Sequence, residues 1–511
     1  MIHRDDPGPH EWNGAHVTHS TRVAELFDVD NISPQGTLLA GFELFKYAGD
    51  SLNGLIQEAR DAGKQVLAIG SGWGLSRINI TDGWLVNTKL LNGCYDIGDR
   101  HFHDDYPAAD RPHVVLAQAG MQIAELSAHL ELTPNVEKRA LKAAGIGNGQ
   151  TIAGAVSGNT HGSQINFGAM PDFVCGLHVA TGRDKTLWIE RKSKPVFNDE
   201  FVERLGAEPI RDDEIFNAAL VSFGTFGVIT AMAVETAAIY HLQFPAIGDI
   251  HHDDLKAKLA GFADADPEQL YHYEFIFDPH SRKRMAMEAG APSIDFEPGH
   301  PTPKPRWIVR DGNGYAPGIN ILRVLRVLRR FVPPRVITGF QLKQYRKLAL
   351  LNSVRGSPGQ LYTSSIYYLE GYAESAFAVS VRDAPVVVDV CSQIAKDLKL
   401  PSISQVRLVH RSEATLGFTH HQPKTAVFEV GLINDDGFRE FERTLDEALR
   451  KAGIRYTLHW SKNSGIDPEK LDYMYGDRVA RWKAARREVF GGDEALMHVF
   501  ENDAMVRAGL A

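Results

Sequence analysis

Apolar residues recur at helical spacing over 51–62, where Leu52, Leu55, Ile56 and Ala59 fall on one side. The apolar run 65–69 that follows reads as a strand, as do 84–87 and 114–117. A helix is predicted over 121–130, with Ile123, Leu126 and Leu130 on its apolar face. Residues 176–181 and 186–189 form a hairpin around Gly182-Arg183-Asp184, and a short helix over 212–219 leads into the run 221–230. Strands and helices mix here without steady βαβ alternation, which predicts α+β rather than a doubly wound sheet. The texture changes near residue 245. Residues 271–277 alternate like a strand with one buried face, and 288–318 are rich in Pro and Gly and read as an inserted loop. Basic amphipathic segments follow at 319–330 and 341–351, around Pro333-Pro334. Helices over 386–398 and 437–452 alternate with strands near 402–409 and 425–432, the pattern of a second sheet-plus-helix domain.

At 511 residues the chain is too long for one ordinary core, so two domains are expected. Hydrophobic residues make up 43%, enough for sizeable cores. A net charge of −9 gives no general case for nucleic-acid binding. The first residues carry charges with no apolar run behind them, so no signal peptide is expected, and no stretch reads as membrane-spanning. Cys94, Cys175 and Cys391 lack metal-ligand spacing and read as reduced thiols, which suits a cytoplasmic protein. The clusters His101-x-His103-Asp104-Asp105, His251-His252-Asp253-Asp254 and His420-His421 read as solvated loop residues, so no metal is expected.

Two small-residue stretches carry the chemistry. Ile69-Gly70-Ser71-Gly72-Trp73-Gly74-Leu75-Ser76 follows the strand at 65–69, and Gly145-Ile146-Gly147-Asn148-Gly149-Gln150-Thr151-Ile152-Ala153-Gly154-Ala155-Val156-Ser157 runs into Gly158-Asn159-Thr160-His161-Gly162-Ser163. Such stretches leave backbone N–H groups bare and let a planar or phosphorylated ligand lie against the main chain. Gly70-x-Gly72 is not a Rossmann fingerprint: its third position is Leu75, and 77–81 reads as extended, so no helix N-terminus meets a pyrophosphate there.

Taken together, 64–76 with Ile80-Thr81-Asp82-Gly83 resembles the phosphate-binding loop of the vanillyl-alcohol-oxidase/PCMH-type FAD-binding family. Residues 150–163 resemble the second FAD-binding stretch of its aldonolactone and alditol oxidase branch, and 216–230 the strand that closes that domain. The resemblance implies α+β architecture: a PCMH-type FAD-binding domain of two α/β subdomains, plus a substrate domain with a mainly antiparallel sheet flanked by helices. It divides the chain into 1–243 for FAD, 244–465 for substrate with an insert at about 281–360, and 466–511 packing back on the FAD domain. It assigns FAD contacts to Ile69, Gly70, Ser71, Gly72, Trp73, Gly74, Ser76, Gly120, Gly147, Thr151, Ile152, Gly154, Ser157, Asn159, Thr160, His161, Gly162, Val228 and Ile229. Oxidases of this branch commonly carry a flavin-linking histidine in the first loop. This chain has Trp73 there, whose indole has no comparable nucleophile, so the expectation is non-covalent FAD, with His161 a structural histidine that bonds backbone.

Toward the C-terminus, His459-Trp460-Ser461-Lys462 and Trp482-Lys483-Ala484-Ala485-Arg486-Arg487 resemble the His-Trp-x-Lys segment and closing helix of sugar-lactone and sugar-alcohol oxidases. Gln405-Val406-Arg407 stands where that branch has Glu-x-Arg, and strand alternation sets Gln405 and Arg407 on one face. Glu429 falls near the place of a family active-site histidine. By resemblance, Arg407, Lys462, Glu429, Gln405 and His459 form the catalytic set. Arg407 and Lys462 would stabilise negative charge, and Glu429 would accept the proton. The implied activity is FAD-dependent oxidation of a C–OH group of a sugar lactone, polyol or bulkier alcohol, with hydride passing to flavin N5 and oxygen or another acceptor reoxidising the flavin. Gln405 in place of glutamate sets the usual polyols in question, and the insert suits a larger substrate. Two alternatives stand beside this reading: a flavoprotein on the same scaffold with reductase or lyase chemistry, or a membrane-surface or partner-binding protein with a vestigial flavin site. Membrane contact through 319–347 is the less favoured use of that basic segment; a lid or packing helix over the substrate entrance is preferred.

Overall fold

Three of the five sheets formed by the described residues carry the molecule. They are described by a computed structural model covering residues 2–4, 8–16, 19–134, 136–264, 271–303, 327–348, 352–362, 372–433, 436–463 and 465–511. The first sheet has four strands in the order Ile2–Arg4, Glu25–Val29, Trp84–Asn87, Val66–Ile69, and the last three run parallel. Helix Glu43–Asp61 buries Leu52, Leu55, Ile56 and Ala59, the stripe expected from their spacing, in a core shared with Phe27, Val66 and Val86 of this sheet and Leu177 and Val179 of the next. The second sheet is built on Val174–Ala180, Thr186–Glu190 and the long strand Val228–Ala238, which pairs with Val114–Gln118. The expected hairpin around Gly182 is present, and Gly182 takes a φ of +83° at its turn. These two α/β units form the N-terminal half.

The third sheet has seven strands, all antiparallel: Gly248–His251, Met285–Ala291, His272–Phe277, Ser404–Val409, Thr425–Ile433, Tyr372–Ser380 and Tyr456–Leu458. Helices Ala384–Asp397 and Asp436–Lys451 cross one face, burying Val387, Val388, Cys391, Phe441, Leu445 and Leu449. Met285–Ala291 lies partly inside the stretch read as an inserted loop, yet it is a strand held by partners on both sides. Pairing on both edges overrides the weak strand propensity of its Ala and Gly residues. The basic stretch 334–348 is one helix starting at Pro334, where proline is tolerated because the first-turn N–H groups have no helical acceptor. Residues 304–326 of the insert, with Arg323 and Arg326, lie outside the described residues.

The C-terminal helix Arg478–Val489 returns to the N-terminal half. Trp482 Nε1 donates to Val221 O at 3.2 Å, and buried Arg486 donates through Nε to Thr225 O at 2.9 Å. Among the described residues, no helix is long and apolar enough to cross a membrane.

Candidate active site

Strand Val66–Ile69 ends where Thr88 donates to Ile69 O through both its amide (2.8 Å) and its hydroxyl (3.1 Å). The chain then turns through Gly70, which passes so close to Thr151 that a Cβ would overlap the threonine hydroxyl. Gly72 takes a φ of +65° in the same turn, and a short 3₁₀ turn, Arg77–Asn79, follows where extended chain was expected. No α-helix begins here. A non-Rossmann loop is the result.

The second turn meets the first face to face. The Trp73 indole lies over Gly147 and Gly149, where any side chain would collide with the ring; a Cβ on Gly147 would lie 3.0 Å from it. Thr151 starts the short helix Ile152–Ser157, whose first amides donate to Met121 O and Ala119 O, while Ala119 N donates to Thr230 O. These bonds tie the turn to Ala119 and Met121, which flank Gly120, and through Ala119 to Thr230, next to Val228 and Ile229 at the start of the strand Val228–Ala238. Asn159 leaves the helix with a φ of +58°, a conformation asparagine tolerates, and its Oδ1 accepts from Phe418 N at 2.8 Å. The third partner is the segment His459–Lys462. Leu75 N and Ser76 N both donate to Ser461 O (2.7 and 3.0 Å), Ser76 Oγ donates to Trp460 O at 2.6 Å, and Gly158 packs on the Ser461 hydroxyl.

Residues 70–75 and 146–148 remain half-exposed where the turns meet, with the Leu75 amide bonded to Ser461 O and Gly72 O accepting from Ala15 N. Ser71 Oγ, Gln150 Oε1 and Asn159 Nδ2 are buried without a hydrogen-bond partner among the described residues. Buried polar atoms of this kind call for a ligand or water. The small side chains of both turns and these three atoms fit a flavin nucleotide. Trp73 offers no nucleophile to it. His161 is buried, donates from Nδ1 to Gly162 O at 3.1 Å and packs edge-on against Phe418; burial lowers its pKa to about 4, so the ring is neutral at pH 7.

Beside the turns, one face of the third sheet gathers charge. Register sets Glu274 opposite Arg407, and Gln405 opposite Glu429, which in turn stands opposite Ala376. Arg407 Nε lies 3.0 Å from Glu429 Oε2 and 3.6 Å from Glu274 Oε2. Lys462 Nζ bonds Glu429 Oε1 and lies 3.3 Å from Glu374 Oε1. Gln405 bridges the set, donating from Nε2 to Glu274 at 2.7 Å and accepting from Arg407 Nη2 at 3.2 Å. His459 Nδ1 accepts from Ser461 N at 3.1 Å, and its ring packs against Phe418 at 4.5 Å between centroids. The five residues read from the sequence as catalytic therefore fall in one region. Glu274 and Glu374, which sequence reasoning missed, complete it, with Tyr345 OH donating to Glu274 at 3.3 Å.

Three carboxyls thus face two cations in a desolvated cluster. Burial pushes the Glu429 carboxyl up, but Arg407 and Lys462 outweigh it and hold the group ionised well below the ordinary range. Glu274 is likewise lowered overall: burial opposes ionisation, while His272 and Arg407 favour it. Glu374 goes the other way. Burial and the Glu429 charge raise it, and Lys462 offsets them only in part. Among the described residues, no three metal-ligating side chains gather in a way that could hold a metal ion.

The FAD binding domain family matches residues 50–190, the span that carries both turns. A Neurospora crassa protein named "Putative D-arabinono-1,4-lactone oxidase" is 28% identical over 484 residues, covering 85% of this chain and 78% of that protein. The D-arabinono-1,4-lactone oxidase of Eremothecium gossypii is 24% identical over 194 residues, 38% of this chain and 31% of that protein. Cholesterol oxidase from Brevibacterium sterolicum superposes with a TM-score of 0.68 at 13% identity, covering 99% of this chain and 97% of that one, which bears out the fold.

Proposed function

We propose that this chain, an FAD-dependent oxidoreductase of the vanillyl-alcohol-oxidase/PCMH type, oxidises a C–OH group held against Arg407 and Lys462. The observation that carries the reading is the buried cluster of Arg407, Lys462, Glu429, Glu274 and Glu374 beside the two flavin-type turns. Sequence relatives named as D-arabinono-1,4-lactone oxidases support a sugar lactone or similar alcohol; the likeness to a cholesterol oxidase speaks for the fold alone.

Bound FAD supplies a two-electron acceptor for the hydride of the carbinol carbon. The chain's own residues manage charge and protons. Arg407 and Lys462 stabilise the developing alkoxide; their value is high because ion pairs with buried carboxyls fix these partly buried cations before the reaction. Glu429 is pinned between both cations, so its role is to hold them in position rather than to gain a proton. Glu374, the carboxyl whose affinity for a proton is raised, accepts the hydroxyl proton across the Lys462 side of the cluster. Gln405 keeps Arg407 and Glu274 in register without adding a charge. The flavin is held without a covalent bond, because Trp73 occupies the first turn and His161 is engaged with Gly162 O.

Purified protein is expected to be yellow, to lose its colour to the supernatant on acid precipitation, and to bleach anaerobically with a member of a sugar-lactone, polyol and bulky-alcohol panel. Flavin that no alcohol reduces would overturn the C–OH reading, and colour retained in the acid pellet would overturn the non-covalent one.

A further inference from the structure

Five of the eleven large hydrophobic side chains that stand exposed among the described residues lie within fourteen positions: Val327, Leu328, Phe331, Val336 and Phe340. Phe331 is 80% exposed and Phe340 57%. A turn closed by Phe331 N and Val332 N on Leu328 O carries the first three, and helix Pro334–Leu348 carries the others. Val336, Phe340 and Lys343 follow helical spacing along its outer side. The inner side carries Ile337 and Thr338, both buried, then Leu342 and Tyr345, which pack on Ile276, Met287 and Ala289 of the third sheet and on Ile247 just before its first strand. The helix is therefore anchored on one flank and bare on the other.

Its charge is equally one-sided. Over 327–348 the sequence has Arg329, Arg330, Arg335, Lys343, Arg346 and Lys347 and no acidic residue, in a chain whose net charge is −9. Arg346 turns back onto Asp249, whereas Arg330, Arg335 and Lys343 are exposed among the apolar side chains. A partner here must accept aromatic rings and carry negative charge over a broad area. A second copy of this acidic chain would offer the rings a surface, but one shared by two equally basic faces.

We propose that the turn at 327–333 and helix Pro334–Leu348 form an interfacial docking element that seats the enzyme on an anionic lipid surface. Phe331 and Phe340 enter the acyl boundary, and Arg330, Arg335 and Lys343 meet the headgroups. The same helix supplies Tyr345, which donates to Glu274, so the docked face is also a wall of the charged site.

The test uses the full-length protein in flotation with phosphatidylcholine vesicles, with and without phosphatidylglycerol. Wild type should float with the anionic vesicles, weakly with the neutral ones, and less as salt is raised. Phe331→Ser/Phe340→Ser should weaken partitioning at least about tenfold, with an unchanged circular dichroism spectrum and melting midpoint. Arg330→Glu/Arg335→Glu, which leaves both rings in place, should abolish the preference for anionic lipid. Failure of wild type to float overturns the proposal. So does binding that the ring variant leaves intact. A concentration-dependent dimer lost in the ring variant, without vesicle binding, would overturn it in favour of self-association.

Discussion

Replacing Arg407 with methionine removes the cation that faces two of the three buried carboxyls while keeping most of the side chain's volume. At an effective dielectric of about 20, a unit pair at the 3.0 Å Arg407–Glu429 separation is worth roughly 5 kcal/mol before desolvation is subtracted. Glu274 lies only slightly farther away, at 3.6 Å. Breaking a buried pair by deleting one partner costs about 3–5 kcal/mol in stability, because the other charge stays behind unpaired. Loss of one fixed charge aimed at a developing oxyanion costs about 3–4 kcal/mol in the transition state, or roughly a hundred- to a thousandfold in rate. Arg407 belongs to neither of the two turns proposed to hold FAD, so the variant should keep its flavin. The assay is anaerobic stopped-flow of flavin reduction with the best alcohol from the panel, beside the FAD-to-protein absorbance ratio. Arg407→Lys should fall between, since it restores the charge but not the fork that also reaches Gln405. Combining Arg407→Met with Glu274→Gln should recover about 2–3 kcal/mol of the lost stability, because Glu274 is the carboxylate stranded without Arg407, whereas Glu429 keeps Lys462. Reduction by Arg407→Met within about threefold of wild type, with FAD bound, would remove this residue from the mechanism.

Two further outcomes follow from the surrounding structure. Glu442, beside Asn463 Nδ2 at 2.7 Å, is raised by burial from 4.5 to about 7. The folded chain therefore keeps a proton that the unfolded chain releases, and the stability this gives below pH 4.5 is lost as pH rises through 7. Glu442→Gln should be more stable than wild type at pH 8, by up to roughly 3 kcal/mol, and equal to it near pH 4; denaturation midpoints at both pH values decide. Gly158→Ala should drive a methyl into the Ser461 hydroxyl and lie 3.0 Å from Gly154 O. Overpacking of this kind costs about 1–3 kcal/mol. It should loosen the carbonyl that holds the Leu75 and Ser76 amides and lower FAD retention on desalting, with Ser461→Gly restoring it; full retention in Gly158→Ala would sever that link.

The turns were legible because steric need writes itself into local sequence. Gly70 is small because Thr151 abuts it, and Gly147 and Gly149 because Trp73 covers them. Gln405 and Arg407 were legible for a related reason: two-residue alternation fixes their common face whatever the neighbours. Glu274 and Glu374 were not, since each sits in a strand made mostly of apolar, aromatic or small residues, and nothing local says which strand lies alongside. Their meaning depends on register with strands far along the chain, Glu374 against Gly431 and Glu274 against Arg407. A signal was nonetheless present: a glutamate in the middle of a strand buried on both faces, such as His272–Phe277, needs a cation, and Arg407 was already in view. The strand Met285–Ala291 was hidden by composition, because its pairing on both edges lies outside its own sequence.

Register also gives Gln405 a reason of its own. Its amide donates to Glu274 at 2.7 Å, and its carbonyl accepts from Arg407, so a single neutral side chain satisfies one member of each sign. A glutamate there would set two carboxylates at hydrogen-bond distance, with Glu429 already claiming the nearest cation. One of the two would then have to hold a proton at neutral pH, and Arg407 would be divided among three anions. With glutamine, the excess of carboxyl over cation falls on Glu374, at the Lys462 end of the cluster, leaving Arg407 and Glu429 as a fixed pair. One amide for carboxylate exchange thus separates the group that can take up a proton from the group that holds charge in place.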